Sequence, residues 1–204
     1  PNRGYHAHDL TLWGAGGIVY LSGASGREDL PPLKAFGQQA GMQAGVNAAV
    51  GSLGALFGRF SSGEGQHIDV SIQECLVAIM ENNYVSWPYD GTVASRLGFR
   101  LIPQDVLACR DGYIYVLAIE DHQWNGAVEL MGNPEWASWE IFQDPFMRAQ
   151  NWDVLKPYLD EWMQGWKVED LFKAGQERRI CFAPVYSMQQ LAQREQLKVR
   201  DIFV

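Results

Sequence analysis

Two histidines and an aspartate near the start of the chain, His6, His8 and Asp9, are the first residues whose types and spacing could perform chemistry. A histidine beside a carboxylate can act as a general acid or base near neutral pH. The same pair can instead cap a helix, because Asp9 would lie at the positively polarised N-terminal end of the apolar run that follows. No further ligands follow at the spacing that a zinc site needs. We therefore predict no metal site and keep His8 and Asp9 as catalytic or capping residues.

The stretch 61–74, SSGEGQHIDVSIQE, joins two long apolar segments that must position those residues. Its serines and glycines are typical of a turn. The alternation of His67–Val70 predicts a short strand with one buried face. Ser71 and Glu74 have the spacing of a capping box, which predicts that a helix begins there.

Apolar periodicity predicts three helices in the first half of the chain. One covers residues 10–21 and is broken at 14–17, one runs from about 35 to 60, and one runs from Ile72 to about Trp87, where Pro88 would end it. Glycines at 37, 41, 45, 54 and 58 follow the middle helix at intervals of mostly four residues. Each interior glycine costs about 1 kcal/mol relative to alanine, so we expect close backbone packing along that face.

The second half of the chain predicts a small mixed domain. Asp111-Gly112 between two β-prone runs indicates a hairpin over 106–119 with both turn residues at positive φ. Asp121 is a predicted N-cap, helices are expected over 151–166 and 168–179, a strand over 181–186, and Ser187 with Gln190 forms a second capping box. The dense aromatics Trp136, Trp139, Phe142 and Phe146 either pack this domain or line an acyl pocket, and packing is the favoured interpretation.

Composition and charge exclude some classes of function. The chain has 204 residues, 47% of them apolar and 20% charged, with a net charge of −8. An acidic chain without clustered Lys and Arg is not a nucleic-acid-binding surface. Polar and charged residues interrupt the apolar runs, so we expect no membrane span. Three cysteines, Cys75, Cys109 and Cys181, lie in apolar contexts, which predicts reduced core residues of a cytoplasmic protein.

The junction and its flanking helices resemble the family III CoA-transferases, the carnitine and bile-acid CoA-transferase group. The resemblance rests on the long small-residue helix followed by S-G-x-G-Q-x-I-D-V-S, and it extends to Gly4–Gly17, the DGYIYV hairpin and residues 184–188. It implies an α/β fold made of part of the large CoA-binding domain, 1–89, a linker, 90–103, and a smaller α+β domain, 104–204. It further implies a fragment that begins at Pro1, stops at Val204 and lacks the nucleotide-fold half of the family.

The resemblance also implies a chemistry. Family members act on CoA thioesters of small carboxylic acids, with CoA as substrate and no covalently bound cofactor, and they form interlocked dimers, here a homodimer or a heterodimer. An aspartate near the start of the long helix receives the acyl group as a mixed anhydride. Matching Gly45, Gly51 and Gly65-Gln66 to the family pattern without gaps places Gly41 in that position. A glycine cannot serve as a nucleophile. The neighbouring amides of Gln39 and Gln43 could still hydrogen-bond a thioester or carboxylate oxygen.

Two further features of the family bear on activity. A glycine-rich loop that closes over the acyl intermediate is reduced here to Gly91 and Gly98. In the racemase branch, the histidine that matches His8 works as an acid or base. Three hypotheses therefore stay open: a CoA-transferase that bypasses the missing carboxylate, an acyl-CoA racemase or isomerase using His8, and a non-catalytic subunit that pairs with an active relative.

Overall fold

The computed structural model describes residues 6–24, 27–96 and 102–202. The fold is mixed α/β with a small antiparallel sheet, and the chain divides into two compact units, Pro1–Gly98 and Phe99–Val204. The division falls inside the stretch 90–103 that the sequence marks as a connector. Gly4, Gly98 and both chain ends, for which the sequence analysis made predictions, lie outside the described residues.

The first unit is helical over most of its described residues. Its helices are α1 (Asp9–Ala15), α2 (Ile18–Leu21), α3 (Gln39–Ser62), α4 (Ile72–Ala78) and α5 (Asn82–Asp90). A small core of Trp13, Ala40 and Leu76 joins α1, α3 and α4. Helix α1 ends close against α4, since a Cβ built on Gly16 would lie 2.6 Å from the Cβ of Leu76. The predicted break after α1 is confirmed, with Gly17 at a φ of 83° between the two short helices.

Helix α3 begins at Gln39, four residues later than predicted, and packs through its small residues. Its packed face carries buried Ala40 and half-buried residues at 44, 48, 51, 55 and 58. A Cβ built on Gly51 would lie 3.2 Å from Ile68, so the segment after α3 folds back onto this face. A Cβ built on Gly41, Gly45 or Gly54, in contrast, would meet no atom of another part of the described chain within 4 Å. The close packing expected at these three glycines is therefore not made within the described residues.

The opposite face of α3 is apolar and exposed. Because its residues recur every three or four positions, they form one continuous stripe. The stripe consists of Met42, Val46, Val50, Leu53, Leu56, Phe57 and Phe60, all between 51% and 82% exposed.

The predicted strand at His67–Val70 is wrong. The segment between α3 and α4 has no regular secondary structure. A strand needs a neighbouring strand for its backbone hydrogen bonds. Every strand of the described sheet belongs to the second unit, so the alternating residues have no strand to pair with.

The single helix predicted from Ile72 to Trp87 is two helices. Ser71 is the N-cap of α4 as predicted, accepting the Glu74 N–H at 3.3 Å. The chain then breaks at Glu81, whose φ is 49°. Pro88 lies inside α5 instead of ending it. A proline removes only its own backbone donor, and Gly91 in the left-handed conformation, with a φ of 75°, is the residue that stops the helix.

The second unit is built on a three-stranded antiparallel sheet in the order β1-β2-β3. The strands are β1 (Gln104–Cys109), β2 (Gly112–Leu117) and β3 (Cys181–Pro184). The helices are α6 (Asp121–Leu130), α7 (Pro145–Gln150), α8 (Trp152–Gln164), α9 (Val168–Glu177), α10 (Met188–Ala192) and α11 (Glu195–Val199), and 3₁₀ turns cover Glu135–Ser138 and Glu140–Phe142. Leu107, Ile114, Leu155 and Leu171 are fully buried between the sheet and these helices.

The predicted hairpin is confirmed, but its turn is not the Asp-Gly type I′ turn. Cys109 pairs with Gly112, so Arg110 and Asp111 form the turn and Gly112 is already in β2. Neither Asp111 nor Gly112 is at positive φ. Asp111 instead accepts the Val168 N–H through Oδ1 at 2.8 Å, which satisfies a free donor at the start of α9.

Several local predictions in the second unit can be checked directly. The capping box of Ser187 and Gln190 is present at the start of α10. The N-cap of α6 is Glu120, one residue before the predicted Asp121. Cys181 is exposed, which corrects the prediction of a core cysteine, whereas Cys75 and Cys109 are buried. Alternate residues of a strand point to opposite faces, and Phe182 takes the buried one.

The aromatic cluster packs the second unit. Trp136 stacks on Tyr158 with ring centroids 4.9 Å apart, and Trp139 lies against Phe142, which is fully buried. Beside it, the buried guanidinium of Arg148 donates to the carbonyls of Ile102 at 3.0 Å and Phe142 at 2.9 Å. Trp136 and Phe142 therefore belong to the core, whereas Trp139 is 41% and Phe146 is 54% exposed, so the predicted packing is confirmed for only part of the cluster.

Candidate functional site

Asp9 brings the start of α1 to the N-terminus of α3. Its Oδ1 accepts the Ala40 N–H at 2.9 Å, and its side chain is only 11% exposed. The first amides of a helix lack intrahelical acceptors and carry a positive partial charge, so a carboxylate is stabilised there. Asp9 therefore does cap a helix, but the helix is α3, 31 positions along the chain.

Lys34 completes this arrangement. Its Nζ lies 2.7 Å from Asp9 Oδ2, and it also donates to the carbonyls of Ala35 and Gly37. The loop before α3 is thereby attached to the carboxylate that caps the helix. Sequence reasoning missed Lys34. It is the only Lys or Arg between Arg27 and Arg59, but this does not identify the carboxylate with which it pairs.

The environment of Asp9 favours its ionised form. The hydrogen bond from Lys34 has the largest effect and lowers the pKa of Asp9. Burial opposes it, while the Ala40 N–H, the charge of Lys34 and the Gly41 N–H lower the pKa further. A carboxylate stabilised in this way is a weaker base and a weaker nucleophile than a free one.

His8 is the N-cap residue of α1, and its side chain is exposed. The backbone N–H of His8 donates to Thr11 Oγ1 at 2.8 Å, and Thr11 Oγ1 donates back to the backbone carbonyl of His8 at 2.8 Å. The contacts of the Asp9 carboxylate involve Lys34 and α3 and do not include the His8 imidazole. The two predicted residues are therefore neighbours in sequence whose side chains have different surroundings. A catalytic role for His8 stays a prediction.

Gly41 lies in the first turn of α3, and its N–H helps to lower the pKa of Asp9. Space at this position is open, because a Cβ added there would meet nothing within 4 Å. Gln39, half-buried, donates through Nε2 to the Phe36 carbonyl at 3.1 Å. Gln43 lies one turn further along and is also half-buried. The structure thus brings Asp9, Gln39 and Gly41 to one helix terminus, with Gln43 next to it.

A groove of about 1080 Å³ lies beside α1 and the start of α4. His6, Thr11, Asp69 and Glu74 are among the polar residues that line it. Among the described residues, no three His, Cys, Asp or Glu side chains are grouped closely enough to hold a metal ion. Over the same part of the chain, no helix is both long and apolar enough to cross a membrane.

Comparison with known proteins identifies the family that this chain resembles, which the geometry alone does not. The model of CoA-transferase family III matches residues 1–204. A succinyl-CoA:mesaconate CoA-transferase of Haloarcula marismortui is 29% identical over 186 residues, which are 90% of this chain and 46% of that protein. A succinyl-CoA:(R)-benzylsuccinate CoA-transferase subunit, BbsE, of Thauera aromatica is 26% identical and is matched over 100% of this chain and 51% of its own length.

A solved structure agrees with the sequence comparisons. A CAIB/BAIF family protein from Brucella suis superposes with a TM-score of 0.81 at 26% identity, covering 100% of this chain and 54% of that one. The chain therefore spans about half the length of the curated relatives that it matches. Since the family model matches from the first residue to the last, the chain belongs to CoA-transferase family III.

Proposed function

We propose that the protein containing this chain transfers CoA between an acyl-CoA thioester and a small carboxylic acid. The observation that carries this proposal is the match of the whole chain, residues 1–204, to family III. CoA enters as part of the substrate, and no covalently bound cofactor is needed for the exchange of one thioester for another.

We further propose that the acyl-accepting carboxylate comes from outside this chain. Position 41, which the family resemblance matches to the aspartate, is glycine. The Asp9 carboxylate, which contacts Ala40 next to Gly41, is held by Lys34 and by the N-terminus of α3. Two properties support this proposal: a glycine cannot form an anhydride, and a carboxylate held in an ion pair attacks a thioester poorly.

The role proposed for this chain is to bind and orient the reacting groups. Gln39 and Gln43 carry amides that can donate a hydrogen bond to a thioester or carboxylate oxygen. Gln39 already donates to the Phe36 carbonyl, so its amide would exchange that bond for one to the substrate. A donor aimed at the oxygen where charge develops stabilises an acyl-transfer transition state.

Assembly with a second chain fits the exposed stripe on α3. Exposed apolar patches of this kind mark interaction sites, and the stripe carries seven apolar side chains that the described residues leave uncovered. We propose a dimer, of the interlocked family type, in which the partner supplies the carboxylate. The relative of Thauera aromatica is itself named as a subunit, which favours a heterodimer over a homodimer. Buried, unpaired Cys75 and Cys109 fit a cytoplasmic location.

Racemisation or isomerisation of an acyl-CoA is the second candidate function. The observation that favours it is the exposed side chain of His8, which a substrate could reach as a base for the proton next to the thioester carbonyl. The first candidate moves CoA between acids without touching that proton.

One experiment separates the two. The full-length protein, purified with any partner, is incubated in deuterated water with an acyl-CoA and an isotopically labelled acid. Labelled acyl-CoA without deuterium at the α-carbon supports the transferase. Deuterium incorporation without labelled acyl-CoA would support the racemase and contradict the first proposal.

A further inference from the structure

A second cavity in the first unit, of about 360 Å³, lies between α2, the α4–α5 region and the residues that follow α5. Its size is at the lower end of the about 300 to 1,000 Å³ typical of small-molecule sites. We refer to it as the aromatic pocket. Its main side chains are Tyr20, Leu21, Met80, Tyr84, Trp87 and Val93.

The aromatic pocket carries no formal charge on any of its lining residues. The amide of Asn83 and the hydroxyl of Thr92, which also line the pocket, already form hydrogen bonds within the protein. Asn83 Nδ2 donates to the Met80 carbonyl at 3.1 Å, and both the backbone and the side chain of Thr92 hydrogen-bond to Asp90. No lining residue offers a cation to a carboxylate that enters this pocket, and the Asp90 carboxylate beside Thr92 would repel it.

The lining aromatics are exposed although they are large. Tyr20 is 60%, Tyr84 47% and Trp87 64% exposed. Aromatic side chains bury large apolar areas and stack on flat partners, so they contribute strongly to binding when a ligand covers them. None of these three belongs to the small core of Trp13, Ala40 and Leu76. The described part of the chain leaves their surface open to a ligand with an apolar face.

The floor of the pocket can adapt to such a ligand. Gly17, at a φ of 83°, leaves space in which a Cβ would lie 3.4 Å from the Met80 methyl group. The thioether of methionine is flexible and polarizable, and it makes favourable contacts with aromatic rings. The pocket therefore combines aromatic walls with a deformable base.

We propose that the aromatic pocket binds the apolar organic group of the protein's carboxylic acid substrate, an aromatic ring or a compact hydrocarbon, and disfavours acids with a second carboxylate. Identification of the ligand as an acid rests on the proposed function. The preference for an uncharged group rests on the lining residues alone.

Ligand-detected NMR on the full-length protein tests this proposal without requiring turnover. The probes are 3-phenylpropanoate, a monocarboxylate with an aromatic ring, and succinate, a dicarboxylate. We expect 3-phenylpropanoate to bind and succinate to give no signal at the same concentration. Equal binding of both acids, or no binding of 3-phenylpropanoate, would overturn the proposal.

Two variants on one helix locate the binding. Trp87→Ala should weaken 3-phenylpropanoate binding by about tenfold, the effect of losing one large aromatic contact. Tyr89→Ala is the matched control, because Tyr89 is on the same helix, is 87% exposed and does not line the pocket. It should leave the affinity unchanged, and an equal effect of the two variants would contradict the location.

A gain-of-binding variant makes the charge argument falsifiable. Val93→Arg places a cation at an exposed lining position, so succinate should now bind. Continued absence of succinate binding, with the fold intact by circular dichroism, would contradict the charge argument. Transfer activity is read separately: binding as predicted without CoA transfer would contradict the proposed function and leave the pocket assignment standing.

Discussion

At the residue scale, the pairing of Asp9 with Lys34 determines what the N-terminus of α3 can do chemically. The pair adds a cation to a carboxylate that already accepts the Ala40 N–H, and it fixes the loop before the helix. It also lowers the pKa of the Asp9 carboxylate, which makes that carboxylate a weaker base and nucleophile. Asp9 thus positions the start of α3, and a catalytic role for it stays a prediction.

The loss of stability caused by Asp9→Asn should depend on pH. The folded state lowers the pKa of Asp9 below its ordinary value of 3.8. The stability that the ionised form contributes is therefore fully present above that value and is lost as the pH falls through the folded pKa. At pH 7 the variant should unfold at lower urea concentration than the native protein, and the difference should shrink as the pH is lowered below about 3.9. A difference in unfolding urea concentration that stays constant into that acid range would show that Asp9 acts through something other than its charge.

Tyr186 offers a second test at this scale, in the second unit. Its hydroxyl donates to Glu169 at 2.9 Å, while Arg194 pairs with the same carboxylate at 2.7 Å. Burial, then the hydrogen bond to Glu169, raises the pKa of Tyr186 to about 12. Since the neutral phenol is stabilised, its contribution is present below about pH 10 and is lost as the pH rises through the folded value.

Tyr186→Phe should therefore lower the free energy of unfolding by about 1 kcal/mol, the typical contribution of one hydrogen bond. Tyr113→Phe, at a tyrosine that is 58% exposed, is the control and should have little effect. An absorbance titration should find one phenol fewer ionising near pH 12 in Tyr186→Phe. Loss of a phenol that ionises near pH 10 instead would contradict the assignment.

At the scale of elements, Gly16, the C-cap of α1, and Gly45, inside α3, have different surroundings. Gly16 allows α1 to approach Leu76 of α4, whereas Gly45 on α3 faces open space in this chain. Gly16→Ala should lower the free energy of unfolding by about 1 to 3 kcal/mol through overpacking. Gly45→Ala should raise it by about 0.5 to 1 kcal/mol, because alanine favours a helix interior. Urea denaturation of both variants measures the difference, and equal shifts in the same direction would contradict it.

Gly45→Leu separates folding from assembly. The bulkier side chain has room within this chain, so the variant should fold, as judged by circular dichroism. If a partner chain packs against α3 at Gly45, the same substitution should weaken the complex in sedimentation experiments. A variant that fails to fold as a single chain would show that α3 is covered from within.

Elements determined by local sequence could be predicted, and those determined by distant contacts could not. The capping box at Ser187, the N-cap at Ser71 and the glycine break after α1 each depend on a few neighbouring residues. The segment His67–Val70 alternates like a strand but has no strand beside it. The break at Glu81 depends on a positive φ that the neighbouring residue types do not predict.

The candidate site shows the same division. His8, Asp9 and the start of α3 could be singled out from residue types and from the family resemblance. The contact of Asp9 with Ala40 and Lys34 could not, because it joins positions 25 to 31 residues apart through a fold that the spacing does not encode.

At the scale of the whole molecule, this chain accounts for about half the length of its relatives. The resemblance assigns much of the CoA site to the half that it lacks. We therefore expect CoA to bind weakly or not at all to the isolated chain in calorimetry. A dissociation constant near 1 μM, about −8 kcal/mol, would show that the chain carries a complete CoA site by itself.

The most direct test concerns the origin of the acyl-accepting carboxylate. The full-length protein with any partner is treated with acyl-CoA and hydroxylamine, which converts an anhydride-bearing aspartate to its hydroxamate, and the modified residue is mapped by mass spectrometry. We predict a hydroxamate only on a carboxylate of a partner chain and none on the residues 1–204. A hydroxamate on Asp9 or Asp69 would contradict this, because it would show that a carboxylate of this chain had replaced the one absent at Gly41.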